Sequence, residues 1–174
     1  WTAPLDLQIL KDIKNRLGAT VNDVLMATVS GAISRYIQRR GGAPIVRLRI
    51  SMPVSVRRPS ADITLENRFA AVPLELPAGL GHARERVAAV KLRMDALKSS
   101  VAPMVIYGLQ SALLTVLPQG VSRWLIDFLA NKCTAVVTNV PGPQRGLTIG
   151  GARLRSLLFW VPQRADIGVG ISIL

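Results

Sequence analysis

The chain contains 174 residues, of which 49% are hydrophobic and 5% aromatic, and its formal net charge is +12. This length and apolar content exclude a disordered chain and suffice for one globular domain with a substantial core. The 17 arginines run from Arg16 to Arg164 without clustering beside aromatic residues, so we expect no nucleic-acid partner. Solvated basic faces explain the charge most simply, and anionic lipid headgroups or phosphorylated small molecules would also fit it.

Cys133 is the only cysteine, which excludes an internal disulfide and a cysteine-based zinc site. We predict a buried packing thiol, a reducing compartment and no metal site. The chain opens on Trp1 without an initiator Met and stops inside the alternating run that ends at Leu174. We therefore expect residues 1–174 to be one lobe of a longer polypeptide, truncated at both ends.

The first predicted element is a helix that begins after Thr20 and stops at Gly41 and Gly42. Thr20 and Asp23 have the spacing of a capping box, in which each side chain accepts a hydrogen bond from the other residue's backbone N–H. An apolar face at helical spacing is expected to pack on the core. Its members are Val21, Val24, Leu25, Thr28, Ala32 and Tyr36.

Two extended segments and a second helix follow. Val46 to Val56 alternates apolar and polar residues, the period of a half-buried strand, and Pro53 predicts an edge, a bulge or the end of that strand. After a predicted loop over residues 59–66, Arg68 to Leu76 is predicted to be a second strand. Arg84 to Lys98 is then predicted to be an amphipathic helix. Its apolar face comprises Val87, Val90, Met94 and Leu97.

Residues 101–129 are predicted to form two apolar helical segments separated at Pro118. The first is nearly all apolar from Val101 to Leu117, but it is shorter than the roughly 20 residues that span a membrane, and it contains Pro103. We expect both helices to pack in the core, and a pair that docks on a lipid surface is the alternative. The second segment carries Trp124, Leu125, Phe128 and Leu129 on one side.

The last third of the chain is predicted to return to strands, at Thr134–Asn139, Gly151–Trp160 and Asp166–Leu174, with Gly150 and Gly151 in a hairpin turn. The element order is then α-β-β-α-α-α-β-β-β, which is neither a strict βαβ repeat nor all-β. The predicted fold class is therefore α/β (α+β), a mixed β-sheet packed with helices.

The start of the first predicted helix is the best candidate for chemistry. The capping box and the favourable position of a negative charge at a helix N-terminus account for Asp23. Asn22 is not needed for the cap, and its amide lies beside backbone N–H groups that have no helical partner. Such a group is suited to stabilise a developing oxyanion.

Other catalytic signatures are absent from the sequence. His82, the only histidine, is predicted to be exposed at the start of a charged helix rather than to act as a general base. No Gly-x-Ser-x-Gly motif occurs, and no Gly-x-Gly-x-x-Gly motif follows a strand. We therefore expect no self-sufficient catalytic set and no bound cofactor.

Two glycines and one arginine are weaker candidates for binding. Gly168 and Gly170 fall on one face of the last predicted strand, together with Asp166 and Ser172. Glycine inside a strand marks the close approach of a ligand or of another part of the fold, such as a tightly packed helix, and both explanations stay open. Arg68 either contacts a phosphate or solvates the start of its strand.

Four short motifs occur in order along the chain: Thr20-Val21-Asn22-Asp23-Val24, Met52-Pro53-Val54-Ser55-Val56-Arg57, Asn67-Arg68-Phe69 and Thr138-Asn139-Val140-Pro141-Gly142-Pro143. With them the chain resembles the C-terminal part of the bacterial wax ester synthase/diacylglycerol acyltransferase family, over essentially its whole length. The resemblance implies one lobe of a two-lobed fold like that of chloramphenicol acetyltransferase and peptide-synthetase condensation domains, with a tunnel between the lobes.

The resemblance also implies a reaction and its partners. A histidine in a His-His-x-x-x-Asp-Gly motif of the N-terminal lobe removes the proton from a long-chain alcohol or diacylglycerol, which then attacks the thioester of acyl-CoA, the co-substrate. That motif is absent from this sequence, so we expect the chain to be inactive alone. Asn22 and Asp23 are expected to support catalysis. The residues expected to line the tunnel or bind substrate are Arg68, Asn139, Pro141, Gly142, Pro143, Gly168 and Gly170.

The corner from Asn139 to Pro143 is expected to hold a crossover segment against the tunnel. Its prolines restrict the backbone, and Gly142 tolerates a φ above zero. An ordinary rigid turn is the alternative for the corner. For the whole chain the alternative function is a noncatalytic basic module that binds a lipid surface or serves as a scaffold. The expected location is cytoplasmic, peripheral to a membrane or lipid droplet.

Overall fold

The computed structural model describes residues 1–57, 68–143 and 145–174. Within them the helices are α1 (Leu7–Arg16), α2 (Val21–Arg39), α3 (Ala83–Ser99), α4 (Ala102–Val116) and α5 (Gln119–Ala130). The strands are β1 (Arg47–Ser55), β2 (Phe69–Pro77), β3 (Ala135–Asn139), β4 (Thr148–Ile149), β5 (Ala152–Arg153) and β6 (Val169–Ile173). The predicted loop at residues 59–66 lies outside the described residues.

The chain divides into two compact units, and the strands β1 and β2 run through both. Unit 1 comprises Trp1–Arg49 and Leu74–Pro103, and unit 2 comprises Ile50–Pro73 and Met104–Leu174.

Unit 1 is built around α2, which packs against α1 and α3. The helix begins where predicted, with Thr20 as its N-cap, and the chain leaves its C-terminal end at Gly41, whose φ of 74° suits glycine. The buried residues of α3 are Val87, Val90 and Met94, as its apolar pattern predicts. Each apolar side chain buried in this way contributes roughly 1.5–3 kcal/mol of transfer free energy.

The predicted buried face of α2 is partly wrong. Tyr36 is 60% exposed, whereas Ser30 and Ser34 are buried. Ser30 belongs inside because its hydroxyl donates to the Pro77 carbonyl oxygen at 3.0 Å, and such a bond offsets the cost of burying a polar group. The helix α1 was not predicted at all. It begins at Leu7, after the N-cap Asp6, and none of its residues is buried.

The four-stranded sheet has the order β2-β1-β3-β6, and β3 and β6 belong to unit 2 in full. The strand β3 is parallel to β1, with Ile50 opposite Ala135, and parallel to β6 over its whole length. The strand β2 joins at the edge beside β1, which makes the sheet mixed and confirms the predicted fold class. Pro53 lies inside β1, beyond the described β1–β3 pairs. Pairing does not end there, because the Val56 N–H donates to the Arg68 carbonyl oxygen three residues later, so the expected strand end at Pro53 is wrong.

The extended segment predicted over 151–160 is mostly wrong. Only Ala152 and Arg153 form a strand, and they pair with Thr148 and Ile149 in a separate two-stranded sheet. Gly150 and Gly151 make the predicted hairpin turn, with φ values of 56° and 83°. After this hairpin the chain contacts β6 through a side chain rather than by strand pairing: the Val161 N–H donates to the Ser172 hydroxyl at 2.8 Å.

The helices α4 and α5 contradict the expectation that residues 101–129 pack in the core. No residue of α4 is buried in the described structure, and Ser122 is the buried residue of α5. Trp124 is 66% exposed and Leu114 is 62% exposed. None of the described helices is long and apolar enough to cross a membrane alone, and α3 and α4 meet the length and composition of a span only as a broken pair.

Candidate functional site

The capping box at the start of α2 buries a carboxylate. The Thr20 N–H donates to Asp23 Oδ2 at 2.8 Å, and the Asp23 N–H donates to Thr20 Oγ1 at 3.2 Å, which confirms the predicted cap. The Asp23 side chain is fully buried. Its other oxygen, Oδ1, accepts no hydrogen bond from any residue that the structure describes. The cap therefore accounts for one carboxylate oxygen and leaves the second unexplained.

The charge of Asp23 affects the pKa of Lys91 on α3. The pKa of Lys91 is raised above its ordinary value, chiefly by the hydrogen bond that it donates to Asp95 and to a smaller degree by the charges of Asp95 and Asp23. Lys91 donates its hydrogen bond to Asp95 rather than to Asp23, so it is not the missing donor for Asp23 Oδ1.

Asn22 lies one residue before Asp23, and its side chain is exposed, whereas Asp23 points inward. This arrangement leaves the Asn22 amide accessible in the first turn of α2, where the backbone N–H groups point out of the helix. The position suits the expected contact with an oxyanion, and the role itself stays a prediction.

The corner from Asn139 to Pro143 follows directly on β3 and lies beside the end of β6. The Val140 N–H donates to the Ile173 carbonyl oxygen at 3.0 Å, which extends the strand pairing by one residue. A Cβ built on Gly142 would lie 3.6 Å from Leu174 Cγ, an ordinary contact, and Gly142 does not have a positive φ. The expected use of a left-handed conformation at Gly142 is therefore wrong.

Close approach occurs at one of the two glycines near β6. A Cβ on Gly170 would lie 2.6 Å from Gln163 Nε2 and 3.1 Å from Val161 Cγ1, so the neighbour there is the chain's own segment 161–163. A Cβ on Gly168 would meet nothing within 4 Å among the described residues. Their predicted role in substrate binding stays a prediction.

The predicted site residues fall into separate groups. Asn22 and Asp23 belong to unit 1, and the remaining ones belong to unit 2. Within unit 2, Asn139 is opposite Ile173 on β6. Ile173 is three residues beyond Gly170, about 10 Å along a strand, so the corner and the glycines mark different positions along β6. Arg68 is exposed and precedes β2, where its carbonyl oxygen accepts from the Val56 N–H at 3.1 Å.

Cys133 and His82 are two further positions, and neither is expected to take part in catalysis. Cys133 is buried, which confirms the predicted packing thiol. His82 is exposed at the N-cap of α3, where its side chain makes no capping hydrogen bond. Across the described ranges, no group of three or more His, Cys, Asp or Glu residues is arranged to hold a metal ion.

Sequence reasoning missed Arg86, which connects α3 to the rest of unit 1. Its Nε donates to the Ala27 carbonyl oxygen at 2.9 Å, and its Nη1 donates to the Leu80 carbonyl oxygen at 2.7 Å. Ala27 is 59 residues away in the chain, and a backbone acceptor carries no side-chain signature. The one local signal is Gly31, where a Cβ would lie 2.6 Å from Arg86 Nη2.

Comparison with known proteins places these features in a family. Residues 65–174 match the family model described as the WS/DGAT C-terminal domain. Two relatives of Mycobacterium tuberculosis, both named as candidate diacylglycerol O-acyltransferases, are 25% and 33% identical to this chain over 98% and 88% of its length. These alignments cover 35% and 31% of the relatives, so the chain spans about a third of their length.

A solved structure shows the same fold. The wax ester synthase/diacylglycerol acyltransferase from Marinobacter aquaeolei VT8 superposes with a TM-score of 0.59 at 22% sequence identity, over 87% of this chain and 33% of that protein. Because the sequence identity is only 22%, this match supports the fold alone. The family model covers more than half of the chain and includes the Asn139–Pro143 corner. The chain therefore belongs to the family of WS/DGAT C-terminal domains.

Proposed function

We propose that the chain is the C-terminal lobe of an O-acyltransferase that moves an acyl group from acyl-CoA to diacylglycerol or a long-chain alcohol. Family membership and relatives named as diacylglycerol O-acyltransferases support this reaction class. In this proposal an N-terminal lobe of the same protein donates the catalytic histidine, and the two lobes form one substrate tunnel. The product is a triacylglycerol or a wax ester, and the chain by itself is inactive.

The observation that carries the proposal is the fully buried Asp23 carboxylate, whose Oδ1 has no partner among the described residues. An unsatisfied polar atom inside a protein costs roughly 1–3 kcal/mol, and more when it is charged. A capping aspartate does not require this, because the cap uses Oδ2 alone. A hydrogen-bond donor supplied by the N-terminal lobe would remove the cost and align the start of α2 with the reacting groups.

The proposed chemistry assigns each lobe a task. The histidine accepts the proton of the alcohol hydroxyl, and the alcohol oxygen attacks the thioester carbonyl carbon. The tetrahedral intermediate carries its negative charge on the former carbonyl oxygen. It collapses with cleavage of the carbon–sulfur bond, and CoA leaves with the proton held by the histidine. Asn22 is proposed to donate its amide N–H to the oxyanion or to the substrate, and Asp23 to position Asn22.

The remaining site residues are proposed to form the wall of the tunnel. Asn139, Pro141, Gly142 and Pro143 lie where β3 ends beside β6, and Asn139 and Gly142 are half-buried there. Arg68 is proposed to contact a phosphate of CoA, and Gly168 and Gly170 to border the acyl chain.

The test is alcohol-dependent CoA release by the protein together with its histidine-bearing lobe. With a long-chain acyl-CoA and diacylglycerol or a long-chain alcohol, thiol release should require the alcohol and yield an ester. Asn22→Ala should lower turnover about 100-fold, the effect of losing one oxyanion donor. Asn15→Ala, which changes an exposed asparagine of α1, is the matched control. Unchanged turnover in Asn22→Ala would remove this residue from the chemistry.

A second candidate function is a noncatalytic module that binds an anionic lipid surface. The observation in its favour is the set of large apolar side chains left exposed on α4 and α5 in a chain with a net charge of +12. Apolar contact and attraction to anionic headgroups act together in such binding. In either function the protein is proposed to be cytoplasmic and peripheral to a membrane or lipid droplet.

Vesicle sedimentation distinguishes this candidate. Binding to vesicles rich in phosphatidylglycerol should exceed binding to phosphatidylcholine and should weaken with added salt. Trp124→Glu on α5 should reduce it, whereas Trp1→Glu, at a more exposed tryptophan outside both helices, should have a smaller effect. No binding at any lipid composition would eliminate the second candidate.

A further inference from the structure

Unit 1 contains a small polar cleft whose lining includes none of the residues proposed for the acyltransferase reaction. It lies between the second half of α2 and the segment that connects β2 to α3, and its volume is about 200 Å³. This is smaller than the roughly 300–1,000 Å³ of sites for drug-sized ligands, so the cleft suits a single compact group. The side chains and glycines that matter here are Ser34, Arg35, Gln38, Gly79, Gly81 and Arg86.

The residues from α2 form one polar face. Gly31, Ser34, Arg35 and Gln38 all line the cleft, and their i, i+3, i+4, i+7 spacing places them on one side of the helix. Arg35 and Gln38 are exposed at the surface, whereas Ser34 is only 7% exposed. This face therefore presents hydrogen-bond donors both at the protein surface and at a buried position.

Arg86 provides a cation inside the cleft that has no ion-pair partner among the described residues. Its side chain is half-buried, and two of its five N–H groups donate to carbonyl oxygens. In the part of the chain that the structure describes, no carboxylate forms an ion pair with Arg86 or Arg35. A partly desolvated guanidinium is stabilised by an anion, and its fork geometry matches phosphate.

Ser34 gives a second, independent indication of a ligand. It lines the cleft, it is only 7% exposed, and its hydroxyl makes no hydrogen bond with any described residue. A serine inside a helix can donate to the carbonyl oxygen of the preceding turn, as Thr28 does to Val24. A hydroxyl without a described partner, on a mostly buried residue that lines a cleft with two guanidinium groups, is placed to donate to an anion.

The backbone on the opposite side is suited to the same ligand. Gly79 and Gly81 have no side chains to block the approach, and Gly81 has nothing within 4 Å of the position of a Cβ. They lead into α3, a helix of 17 residues whose N-cap side chain makes no hydrogen bond. The positive end of the helix dipole adds to the attraction, and Glu85 in the first turn offsets part of it.

We propose that this cleft binds a phosphate group through Arg35, Arg86 and the Ser34 hydroxyl. The group belongs either to a phosphorylated small molecule or to a phospholipid headgroup, and the recognition chemistry is the same for both. The proposal concerns unit 1 alone and does not depend on the acyltransferase function.

Titration of the chain with inorganic phosphate, followed through backbone amide resonances, tests the proposal. The Gly79 and Gly81 amides should shift and saturate at low ionic strength, and the affinity should fall with added salt. Arg35→Ala should weaken binding about tenfold, the effect of one charge-assisted hydrogen bond. Ser34→Ala should weaken it several-fold. Both side chains lack described hydrogen bonds, so neither change removes a fold contact of this kind, and thermal melting checks that each variant is folded.

Arg84→Ala is the matched control. It removes the same charge from an exposed position on α3 that does not line the cleft, and it should change the affinity less than twofold. Equal weakening by Arg35→Ala and Arg84→Ala, or amide shifts that never saturate, would overturn the proposal.

Two further titrations identify the source of the phosphate. Stronger binding of coenzyme A than of dephospho-coenzyme A, sensitive to Arg35→Ala, would indicate a phosphorylated small molecule. Binding to phosphatidylglycerol vesicles that is lost in Arg35→Ala would indicate a lipid headgroup. Either result supports the phosphate site. Insensitivity of both to Arg35→Ala, together with a flat phosphate titration, would refute it.

Discussion

Replacing Gly31 with alanine tests how Arg86 holds unit 1 together. A Cβ at this position would lie 2.6 Å from Arg86 Nη2 and 2.7 Å from Cζ, so the guanidinium must move. The end of an arginine is flexible, but this one donates to the Ala27 and Leu80 carbonyl oxygens at 2.9 and 2.7 Å. The cost of the substitution is therefore the loss of those two hydrogen bonds.

The magnitude follows from two opposing effects. Each hydrogen bond from the charged guanidinium contributes about 1.5 kcal/mol, so losing both costs about 3 kcal/mol. Alanine gains about 1 kcal/mol over glycine inside a helix. Gly31→Ala should therefore lower the free energy of unfolding by about 2 kcal/mol, which corresponds to roughly 4–8 °C in Tm for a chain of this size.

Urea unfolding of the single and double variants provides the assay. In the Arg86→Ala background the steric conflict is gone, so Gly31→Ala should become stabilising by about 1 kcal/mol because only the helix propensity remains. The sign of the effect thus reverses between the two backgrounds. A stabilising Gly31→Ala in the otherwise unchanged chain would refute the assigned role of Arg86.

Three further substitutions test other parts of the fold. Thr20→Ala removes the acceptor for the Asp23 N–H and should cost about 1 kcal/mol in urea unfolding; no loss would contradict the capping role. Ala165 has a φ of 55°, so Ala165→Gly should raise stability by about 0.5–1 kcal/mol, and a lower Tm would contradict the strain. The hydrogen bond from Lys91 holds the pKa of Asp95 below its ordinary value. A carboxyl group with a lowered pKa stabilises the fold at neutral pH, and this stabilisation is lost as the pH falls through the pKa of the folded state. Asp95→Asn should therefore flatten the acid side of a Tm-against-pH curve. An unchanged curve would contradict this effect.

The parts of the fold with a strong local pattern were predictable from sequence. The capping box at Thr20, the apolar face of α3 and the glycine hairpin at Gly150 each depend on residues a few positions apart, and the structure contains all three. The pairing of β3 with β6 follows a different rule, because parallel neighbours are far apart in the chain. Their identity as strands was predictable, and their register was not.

The errors arose where burial depends on distant groups. Tyr36 was assigned to the core from its spacing, but α2 is covered along a face that includes Ser30 and Ser34. The apolar composition of α4 indicated a core helix, and composition alone does not reveal what covers it. In the candidate site, Asn22 and Asp23 were found from a motif. The long-range role of Arg86 has no counterpart in local sequence.

Turnover of an Asp23→Asn variant tests the central claim most directly. Asparagine retains an oxygen to accept from the Thr20 N–H, but it places an NH₂ group where the buried Oδ1 has no described partner. Alcohol-dependent CoA release should be measured with the histidine-bearing lobe present, beside Asp12→Asn as an exposed control on α1. We predict that kcat falls at least about tenfold while Tm is maintained. Full turnover in Asp23→Asn would contradict the claim that the other lobe donates a hydrogen bond to this carboxylate and that catalysis depends on it.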